Sequence, residues 1–447
     1  MTMQAFKILS RLVLLLLLGV VGPVVRATEA AGGEGAEGTR PPNIVLIISD
    51  DQAWNDYGFM GHPHIRTPHL DRLAEQSLCF PYGYVPSSLC CPSLATMITG
   101  LFPWQHGITG NEPPRPEGVG YGDPDYRKQV AEMIGFIDDV PTLPRLLKER
   151  GYVSFQSGKW WLGPAERGGF TSGMTHGDPD RGGRHGDEGL AIGREGMEPV
   201  FDFIRDAGDR PFFLWYAPFL PHAPHNPPER LLAQYRDRVE SIHIARYWAM
   251  CAWFDETCGA LLGFLDEQGL TEETLVVYVT DNGWINLPDA PRYAPRSKRS
   301  PYEGGIRTPM MLRWPGRITP RRSEDLAQSI DIAPTVLRAV GLDIPAAMQG
   351  INLLDAEAVG RRDMVSGDIY LHNAVDIRNP ARNLLYRYCV TKEWKLILPE
   401  VGQLPQARPE LYRIRQDPLE ERDMAQAHPQ VVETLKAKLD AWWLPVP

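Results

Sequence analysis

Hydrophobic residues occur along this chain in short unbroken blocks rather than in strict alternation with polar residues. Each block is bounded by polar residues, glycine or proline. The blocks are NIVLIIS (43–49), YVSFQ (152–156), PFFLWYA (211–217), LVVYVT (275–280) and MMLRW (310–314). Unbroken apolarity over such a short length is typical of strands that are buried on both faces, as in a mostly parallel sheet. The pattern therefore predicts five strands of one buried sheet.

Between the apolar blocks, hydrophobic residues recur at helical spacing. The predicted helices cover residues 67–76, 93–99, 142–150, 242–267 and 331–339. Strands that alternate with helices form open sheets whose crossover helices cover both faces. The fold class predicted for residues 42–360 is α/β, with a large, mostly parallel sheet and helices on both of its faces.

The pattern changes near residue 365. The stretch YRYCVTKEWKLILP favours antiparallel strands, and VVETLKAKLDAWW near the end favours an amphipathic helix. Residues 361–447 are therefore predicted to form a small C-terminal α+β domain with an antiparallel sheet.

The N-terminal residues have the pattern of a secretory signal peptide. Lys7 and Arg11 precede an apolar run, and small residues near Ala27 offer a cleavage site. A membrane anchor is the alternative, but the run from Leu12 to Val21 is shorter than the roughly 20 residues of a spanning helix. We expect residues 1–27 to be a signal peptide and 28–41 a flexible linker. The protein would then be exported, to the periplasm or the extracellular space, without a stable membrane span.

Composition narrows the classes of partner. The 447 residues carry a formal net charge of −10 and no basic run, which argues against nucleic-acid binding. A locally positive site for a small anionic substrate remains compatible with that balance. The six cysteines do not suggest a disulfide framework, because Cys251 and Cys258 lie on one predicted helix at a spacing too long to bridge. Cys90 and Cys91, adjacent and followed by Pro92, need a separate explanation.

Acidic and amide side chains follow two predicted strands directly. Asp50 and Asp51 come after the first strand, and Asp281 and Asn282 come after the fourth. Sites in open α/β sheets form at the carboxyl ends of strands. Oxygen ligands suit calcium or magnesium better than zinc. Either pair alone is also a common turn or capping sequence, but the two pairs together favour a metal site.

Six motifs occur in the order and spacing of the sulfatase family, which the whole chain after the linker resembles. The motifs are IVLIISDDQ, CCPS with TG at the helix end, SGKWWLG, APFLPHAPHNPP, VVYVTDNG and KRSPYEGGIRTP. The resemblance implies an alkaline-phosphatase-like fold and the hydrolysis of a sulfate monoester, for which we expect a sulfated carbohydrate or another sulfated small molecule. In that family the nucleophile is a formylglycine made from the cysteine of a C-x-P-S-R motif, and calcium binds beside it.

Carried over by position, the resemblance implies a role for each motif residue. Cys90 would become formylglycine through a transient complex with the formylglycine-generating enzyme. Lys159 and Lys298 would contact the sulfate, and His222 would assist departure of the leaving group or binding of the sulfate. Calcium, with magnesium as the second choice, would be held by Asp50, Asp51, Cys90, Asp281 and Asn282.

Two positions depart from the family pattern. Leu94 stands where the motif has arginine, and Trp161 stands where it has histidine. Loss of one charge-stabilising donor typically costs roughly 10²–10³ in rate. The glycine-rich stretch 175–189, with Arg184 and His185, is one candidate replacement, and a solvated surface loop is its alternative. Trp161 is a candidate contact for a sugar ring, with core packing as the alternative.

Three functions fit the sequence. The first is an exported sulfatase that cleaves sulfate monoesters. The second is a degenerate relative that binds sulfated glycans without hydrolysis, which Leu94 and Trp161 favour. The third is a phosphoesterase of the same superfamily. The retained carboxylates and lysines favour the first function.

Overall fold

The computed structural model describes residues 40–177 and 187–446 of the chain. The predicted signal peptide, most of the predicted linker, and Arg184 and His185 lie outside the described residues. From Pro41 onward the chain forms one compact unit.

The strands of the two sheets and the α-helices are numbered in chain order. The strands are β1 (Asn43–Ser49), β2 (Leu78–Tyr84), β3 (Val153–Gly158), β4 (Ser172–Gly173), β5 (Phe212–Ala217), β6 (Thr274–Thr280), β7 (Arg307–Arg313), β8 (Arg321–Arg322), β9 (Ala327–Gln328), β10 (Met364–Tyr370), β11 (Leu384–Thr391), β12 (Lys395–Pro399) and β13 (Glu410–Tyr412). The α-helices are α1 (Pro68–Glu75), α2 (Cys90–Thr99), α3 (Pro103–His106), α4 (Pro124–Gly135), α5 (Leu143–Lys148), α6 (Glu198–Ala207), α7 (Glu229–Leu232), α8 (Ile242–Glu267), α9 (Glu303–Ile306), α10 (Ile332–Ala339), α11 (Ala356–Arg361), α12 (Pro380–Asn383) and α13 (Pro429–Trp442).

The large sheet has the strand order β4-β3-β5-β1-β6-β7-β2-β8, and β9 also pairs with β2. Strands β4, β3, β5, β1 and β6 are parallel neighbours. Strand β7 runs antiparallel to both β6 and β2. The predicted fold class, a large and mostly parallel sheet within an α/β architecture, is confirmed.

The sheet is buried on both faces, as the unbroken apolar blocks predict. Ile44 and Leu46 on β1 point into one hydrophobic cluster, which also contains Met97 of α2 and Val336 of α10. Val45, the residue between them, belongs to a cluster on the other face with residues of α1, α6 and α8. Successive side chains of a strand point to opposite faces, so helices on both sides are needed to bury the strand.

The predicted elements are present and differ only at their ends, but several elements of the structure were not predicted, among them β2, α4 and α6. Helix α8 has the predicted bounds, whereas α2 begins at Cys90, three positions before the predicted start. Strand β2 was missed because Pro81 and Gly83 interrupt its apolar pattern, and the pairing with β7 shifts register between Phe80 and Gly83. Such a shift is how a strand accommodates proline and glycine.

The small sheet is antiparallel, with the strand order β10-β11-β12-β13, and α13 packs against it. Leu396 and Leu411 of the strands contact Leu435 and Leu439 of the helix in one buried cluster. The antiparallel strands and terminal helix predicted from the sequence are therefore present. The boundary at residues 360 and 361 stays a prediction. Of the helices in the described residues, none combines the length and apolarity needed to cross a membrane.

Candidate active site

The topology of the large sheet brings the predicted site residues to one edge. Asp50, Lys159 and Asp281 directly follow the parallel strands β1, β3 and β6. His222 lies in the loop after β5, and β2, which also points to this edge, leads through a short loop to α2. Because β7 is antiparallel, the segment before it, which carries Lys298, returns to the same edge.

Cys90 is the first residue of α2, and its side chain is buried between two lysines. Its Sγ lies 3.2 Å from Nζ of Lys159 and 3.0 Å from Nζ of Lys298. The Oδ1 atom of Asn282 is 3.5 Å from the same sulfur. Burial raises the pKa of the Cys90 thiol to about 12, although both lysines act to lower it. The unmodified side chain is therefore a protonated thiol near neutral pH, which is a weak nucleophile.

Each lysine also forms an ion pair with a buried aspartate. Nζ of Lys159 lies 2.7 Å and 2.8 Å from the two carboxylate oxygens of Asp50. Nζ of Lys298 lies 2.6 Å from Oδ1 of Asp51, which also accepts a hydrogen bond from the amide of Asn282. Burial acts to raise the pKa of Asp51, but Lys298 and neighbouring cations lower it to about 2. Burial raises the pKa of Asp50 well above its ordinary value despite Lys159.

Several donor atoms in this cluster fit a hard cation. Oδ2 of Asp51 and Oδ2 of Asp281 are buried, and neither accepts a hydrogen bond from the described residues. Nδ1 of His222 is 2.6 Å from the carbonyl oxygen of Ala223, which can only accept, so Nδ1 carries the proton. A neutral ring then directs the lone pair of Nε2 toward Oδ2 of Asp51, 3.3 Å away. A divalent cation would relieve this contact between two acceptors.

The charge state of His222 agrees with that arrangement. Burial lowers the pKa of His222 well below its ordinary value, and Lys159 acts in the same direction. Donor atoms of Asp50, Asp51, Cys90 and His222 lie within 4.8 Å of one another. Asn282 adds an amide oxygen beside Cys90. Carboxylate and amide oxygens are the donors expected for calcium or magnesium.

A cavity of about 740 Å³, here called the Cys90 pocket, opens above the sulfur. Its aromatic side is built from Trp161, Phe219, Trp284 and Tyr293. The other described residues that line it are Cys90, Asn111, Leu190, His222, Pro291, Arg292, Lys298, Arg299 and His372. The pocket therefore combines flat apolar surfaces with cationic groups, a combination that suits an anionic ring-shaped ligand.

The two departures from the family pattern lie in different environments. Leu94 is 1% exposed and packs in the hydrophobic cluster beneath α2, so it brings no charge to the site. Trp161 lines the Cys90 pocket, and its ring centre is 5.8 Å from Nζ of Lys159. An aromatic face at this distance attracts a cation, but it donates no charge to a bound anion. Contact of Trp161 with a sugar stays a prediction.

The described part of the stretch 175–189 pairs within itself. The main-chain N–H groups of His176 and Gly177 donate to the carboxylate of Asp187. Nε2 of His176 lies 3.3 Å from Glu188. These contacts fix the two ends of the stretch, while the predicted contribution of Arg184 and His185 falls outside the described residues.

Several residues of the pocket were not predicted as site residues, among them Asn111, Arg299 and His372. Asn111 accepts a hydrogen bond from the main-chain N–H of Cys91 at 3.0 Å, and its amide nitrogen lies 3.4 Å from Nε2 of His372. Arg299 directly follows Lys298, and that adjacency was the one available signal in the sequence. His372 follows β10 of the small sheet, so only the packing of the two sheets brings it to the pocket.

Family models match nearly all of the described chain. The model described as Sulfatase matches residues 42–342, and the model described as N-sulphoglucosamine sulphohydrolase, C-terminal, matches residues 294–443. The second match covers the small antiparallel sheet and α13, so the similarity extends beyond the large sheet.

Individual proteins give the same result. The chain is 33% identical over 394 residues to N-acetylgalactosamine-6-sulfatase of Canis lupus familiaris, covering 76% of this chain and 72% of that protein. It is 31% identical over 383 residues to arylsulfatase A of Homo sapiens, covering 73% and 70%. A solved structure described as a complex with its substrate D-glucosamine-2-N,6-O-disulfate has a TM-score of 0.69 at 19% identity. That alignment covers 90% of this chain and 99% of the other.

Proposed function

The chain belongs to the sulfatase family of enzymes that hydrolyse sulfate esters, and from this premise we propose that its substrate is a sulfated carbohydrate. Relatives named N-acetylgalactosamine-6-sulfatase, which match over about three quarters of the chain, support a sugar substrate. The aromatic surfaces of the Cys90 pocket support it as well, because sugar rings pack against aromatic side chains through their apolar faces.

One observation carries the proposal. A cysteine at the first residue of a helix lies within 3.2 Å of two lysine ammonium groups, beside acceptor atoms that receive no hydrogen bond from the described part of the chain. Lysines at this position favour binding of a sulfate group next to the reacting atom. The N-terminus of α2 adds partial positive charge on the same side.

Cys90 is proposed to be converted to formylglycine. The hydrated aldehyde would supply two hydroxyl groups, one to attack sulfur and one whose later collapse to the aldehyde releases sulfate. A plain cysteine or serine would keep a stable sulfated adduct, since it has no second hydroxyl. Pro92 and Ser93, which follow in the chain as in the family motif, are proposed to be recognised by the formylglycine-generating enzyme.

Calcium is the proposed metal. Asp50, Asp51, Asp281 and Asn282 would hold it, and when bound it would supply positive charge beside the sulfate and the nucleophile. Their oxygen atoms are the donors that calcium prefers, with magnesium as the second choice. With the carboxylates directed to the ion, Nζ of Lys159 and Nζ of Lys298 would become available to the sulfate oxygens.

Lys159 and Lys298 are proposed to bind the sulfate, and His222 to act on the leaving group. The lysines lie on opposite sides of Cys90, so together they would orient the sulfur for attack and stabilise the charge that develops on its oxygens. His222 lines the pocket, so it would assist departure of the sugar oxygen or binding of the sulfate.

We also propose that the protein is exported through the predicted signal peptide. An exported enzyme would meet its sulfated glycan outside the cytoplasm, and Cys90 would be modified before folding buries it. The modification must precede folding because Cys90 is 1% exposed in the folded chain.

The test is mass spectrometry of the Cys90-containing peptide from protein made in its native host, followed by assays of sulfate release. We expect the mass of an aldehyde at Cys90 and an unchanged thiol at Cys91, which provides an internal control. A hydrazide reagent should label the wild-type protein and fail to label Cys90→Ala.

The assays should compare sulfated monosaccharides with the corresponding phosphate esters. Release of sulfate and not of phosphate supports the proposal. A thiol at Cys90 in active protein would contradict the formylglycine mechanism. Faster release of phosphate would favour the phosphoesterase alternative, and binding without release of either anion would favour the degenerate glycan-binding alternative.

A further inference from the structure

Positive charge on the wall of the Cys90 pocket exceeds what a single sulfate ester needs. Lys298, Arg292 and Arg299 line the pocket, and no aspartate or glutamate does among the residues that the structure describes. The chain as a whole carries a formal net charge of −10. A concentration of cations at one cavity of an acidic protein indicates a ligand with more than one negative group.

Most of the hydrogen-bonding capacity of Arg299 is unused among the residues that the structure describes. Its guanidinium donates one hydrogen bond, to the hydroxyl of Tyr293 at 3.1 Å. No carboxylate of the described residues lies within ion-pair distance of it, in contrast to Lys298. A guanidinium has five N–H donors arranged to bind a carboxylate or sulfate through two oxygens. Most of these donors remain available to a ligand.

The backbone holds Arg299 in place. Its φ of 67° lies in the left-handed region, which non-glycine residues rarely adopt. Its N–H donates to the carbonyl of Ser88 at 2.8 Å, and the hydroxyl of Ser88 donates to the carbonyl of Ser300 at 2.9 Å. These bonds join the segment that contains Lys298 to the residues just before Cys90. Strained conformations held by such contacts occur often at functional sites.

Arg299 acts at the pocket wall rather than at the reacting sulfur. The charges with the strongest influence on Cys90 are those of Lys159, Lys298, Asp281 and Asp51. The charge of Arg299 influences His372, which lines the pocket with Asn111. The two lysines are therefore placed for the reacting sulfate, and Arg299 is placed for a group beside it.

We propose that Arg299, with Arg292 at the exposed rim, binds a second anionic group of the substrate, so that the preferred substrate is a sugar carrying a carboxylate or another sulfate next to the sulfate that is cleaved. The inference rests on the proposed function because it concerns the same pocket. The two chemical sources of the second charge, a uronic acid and a second sulfate ester, are distinguished by the test.

Binding is measured by calorimetry with the full-length Cys90→Ala protein, which retains the pocket but cannot turn over. Four probes are compared: a monosulfated hexosamine, the same sugar joined to a uronic acid, the methyl ester of that disaccharide, and a disulfated hexosamine. Arg299→Gln and Arg299→Lys are each combined with Cys90→Ala. Arg317→Gln is the matched control, since Arg317 is exposed and follows the end of β7 at the opposite edge of the sheet.

Arg299→Gln should weaken binding of at least one doubly anionic probe about 10- to 100-fold, as expected for a charge-assisted pair of hydrogen bonds. Binding of the monosulfated probe and the methyl ester should change less than about threefold, since neither carries a second charge. Arg299→Lys should give an intermediate loss, and Arg317→Gln should give none. Loss confined to the uronic acid probe identifies a carboxylate, and loss confined to the disulfated probe identifies a second sulfate.

Equal losses on singly and doubly anionic probes, or no loss on any probe, would overturn the inference. Failure of every doubly anionic probe to bind would overturn it as well. Sulfate release by the wild-type protein is measured in parallel with the same probes. If Arg299 discriminates among bound probes but none is hydrolysed, the proposed hydrolysis fails while the inference stands.

Discussion

The protein contains two buried clusters of charged side chains, and the clusters differ in the groups that contact their carboxylates. The first is the site cluster, in which Lys159 and Lys298 pair with Asp50 and Asp51 beneath the Cys90 pocket. The second, here called the Lys395 cluster, contains Lys395, Glu303 and Glu420. Glu303 begins α9, five positions after Lys298, so one segment contributes to both clusters.

In the Lys395 cluster, each carboxylate has donors from the protein itself. Nζ of Lys395, which is 0% exposed, lies 3.0 Å from Glu303 and 2.7 Å from Glu420. The other oxygen of Glu303 accepts from Tyr84, and the other oxygen of Glu420 accepts from the N–H of Glu303. The cluster connects β12 of the small sheet with the segment that precedes β7 of the large sheet.

In the site cluster, Oδ2 of Asp51 and Oδ2 of Asp281 are buried and accept no hydrogen bond from the described residues. Both clusters bury lysines and carboxylates, so burial of charge alone does not distinguish a site from a structural contact. The difference lies in the cavity above the site cluster, since Oε1 of Glu420 also lacks a hydrogen bond of good geometry among the described residues, although Nζ of Lys395 lies 2.7 Å from it. We infer that the Lys395 cluster stabilises the fold and that the site cluster is arranged for a cation and an anionic substrate.

The largest expected effect is on stability. Lys395→Met should lower the free energy of unfolding by about 3–5 kcal/mol, because it leaves buried Glu420 without its cation and leaves Glu303 only Arg307, at 3.5 Å. Denaturant unfolding measures the change. Lys392→Met, an exposed lysine three positions earlier, is the control and should change stability by less than about 1 kcal/mol. Equal effects of the two substitutions would contradict a structural role for the Lys395 cluster.

A smaller free-energy change, confined to activity, is expected in the site cluster. Lys159→Met should reduce kcat/KM for a sulfate ester roughly 10²–10³-fold through loss of one charge-stabilising donor. With calcium present, its stability should remain near that of the wild-type protein, since the cation would neutralise Asp50. Chelation should then destabilise Lys159→Met more than the wild-type protein.

The exposed Lys148, just before β3, provides the control for that comparison. Lys148→Met should leave kcat/KM and the response to chelator unchanged. If Lys159→Met instead unfolds in the presence of calcium and Lys148→Met does not, the two clusters would have the same structural role.

The smallest expected effect is a pH dependence of stability from Glu420. Burial raises the pKa of Glu420 to about 7, although Lys395 acts to lower it. A carboxyl group with a raised pKa binds its proton more tightly in the folded state. Its stabilising contribution is therefore complete below the pKa of the unfolded chain, near 4.5, and is lost as pH rises toward 7. Glu420→Gln should remove this loss, which we expect to be about 1–2 kcal/mol between pH 5 and pH 7.

Unfolding curves at several pH values measure that difference. Buried Asp56, Asp255 and Asp368 have pKa values raised by burial as well, so the wild-type slope has several sources. The exposed neighbour Glu421 supplies the control, because Glu421→Gln should retain the wild-type slope. A slope that Glu420→Gln does not change would assign the pH dependence to the other carboxyl groups.

The sequence predicted the parts of the site that follow buried strands. Asp50 and Asp281 are recognisable because a polar residue directly after an unbroken apolar block lies at the carboxyl end of a strand, whereas the role of Lys159, shortly after the block 152–156, depended on a family motif. His222 and Cys90 depended on the family motifs, since loops carry no hydrophobic period. Strand β2 was missed for a related reason, because its proline and glycine interrupt the apolar run.

The local pattern of the sequence therefore determined five strands of the large sheet, several of the helices, the fold class and the carboxylates at strand ends, because burial on both faces imposes unbroken apolarity on a strand. Only the tertiary structure decided which charges meet. The reversal of β7 returns Lys298 to the edge where β1 and β3 end, and the packing of the small sheet brings His372 to the pocket and Lys395 to Glu303. Such contacts join residues far apart in sequence, and they depend on strand order and register, which the hydrophobic period of a single segment does not encode.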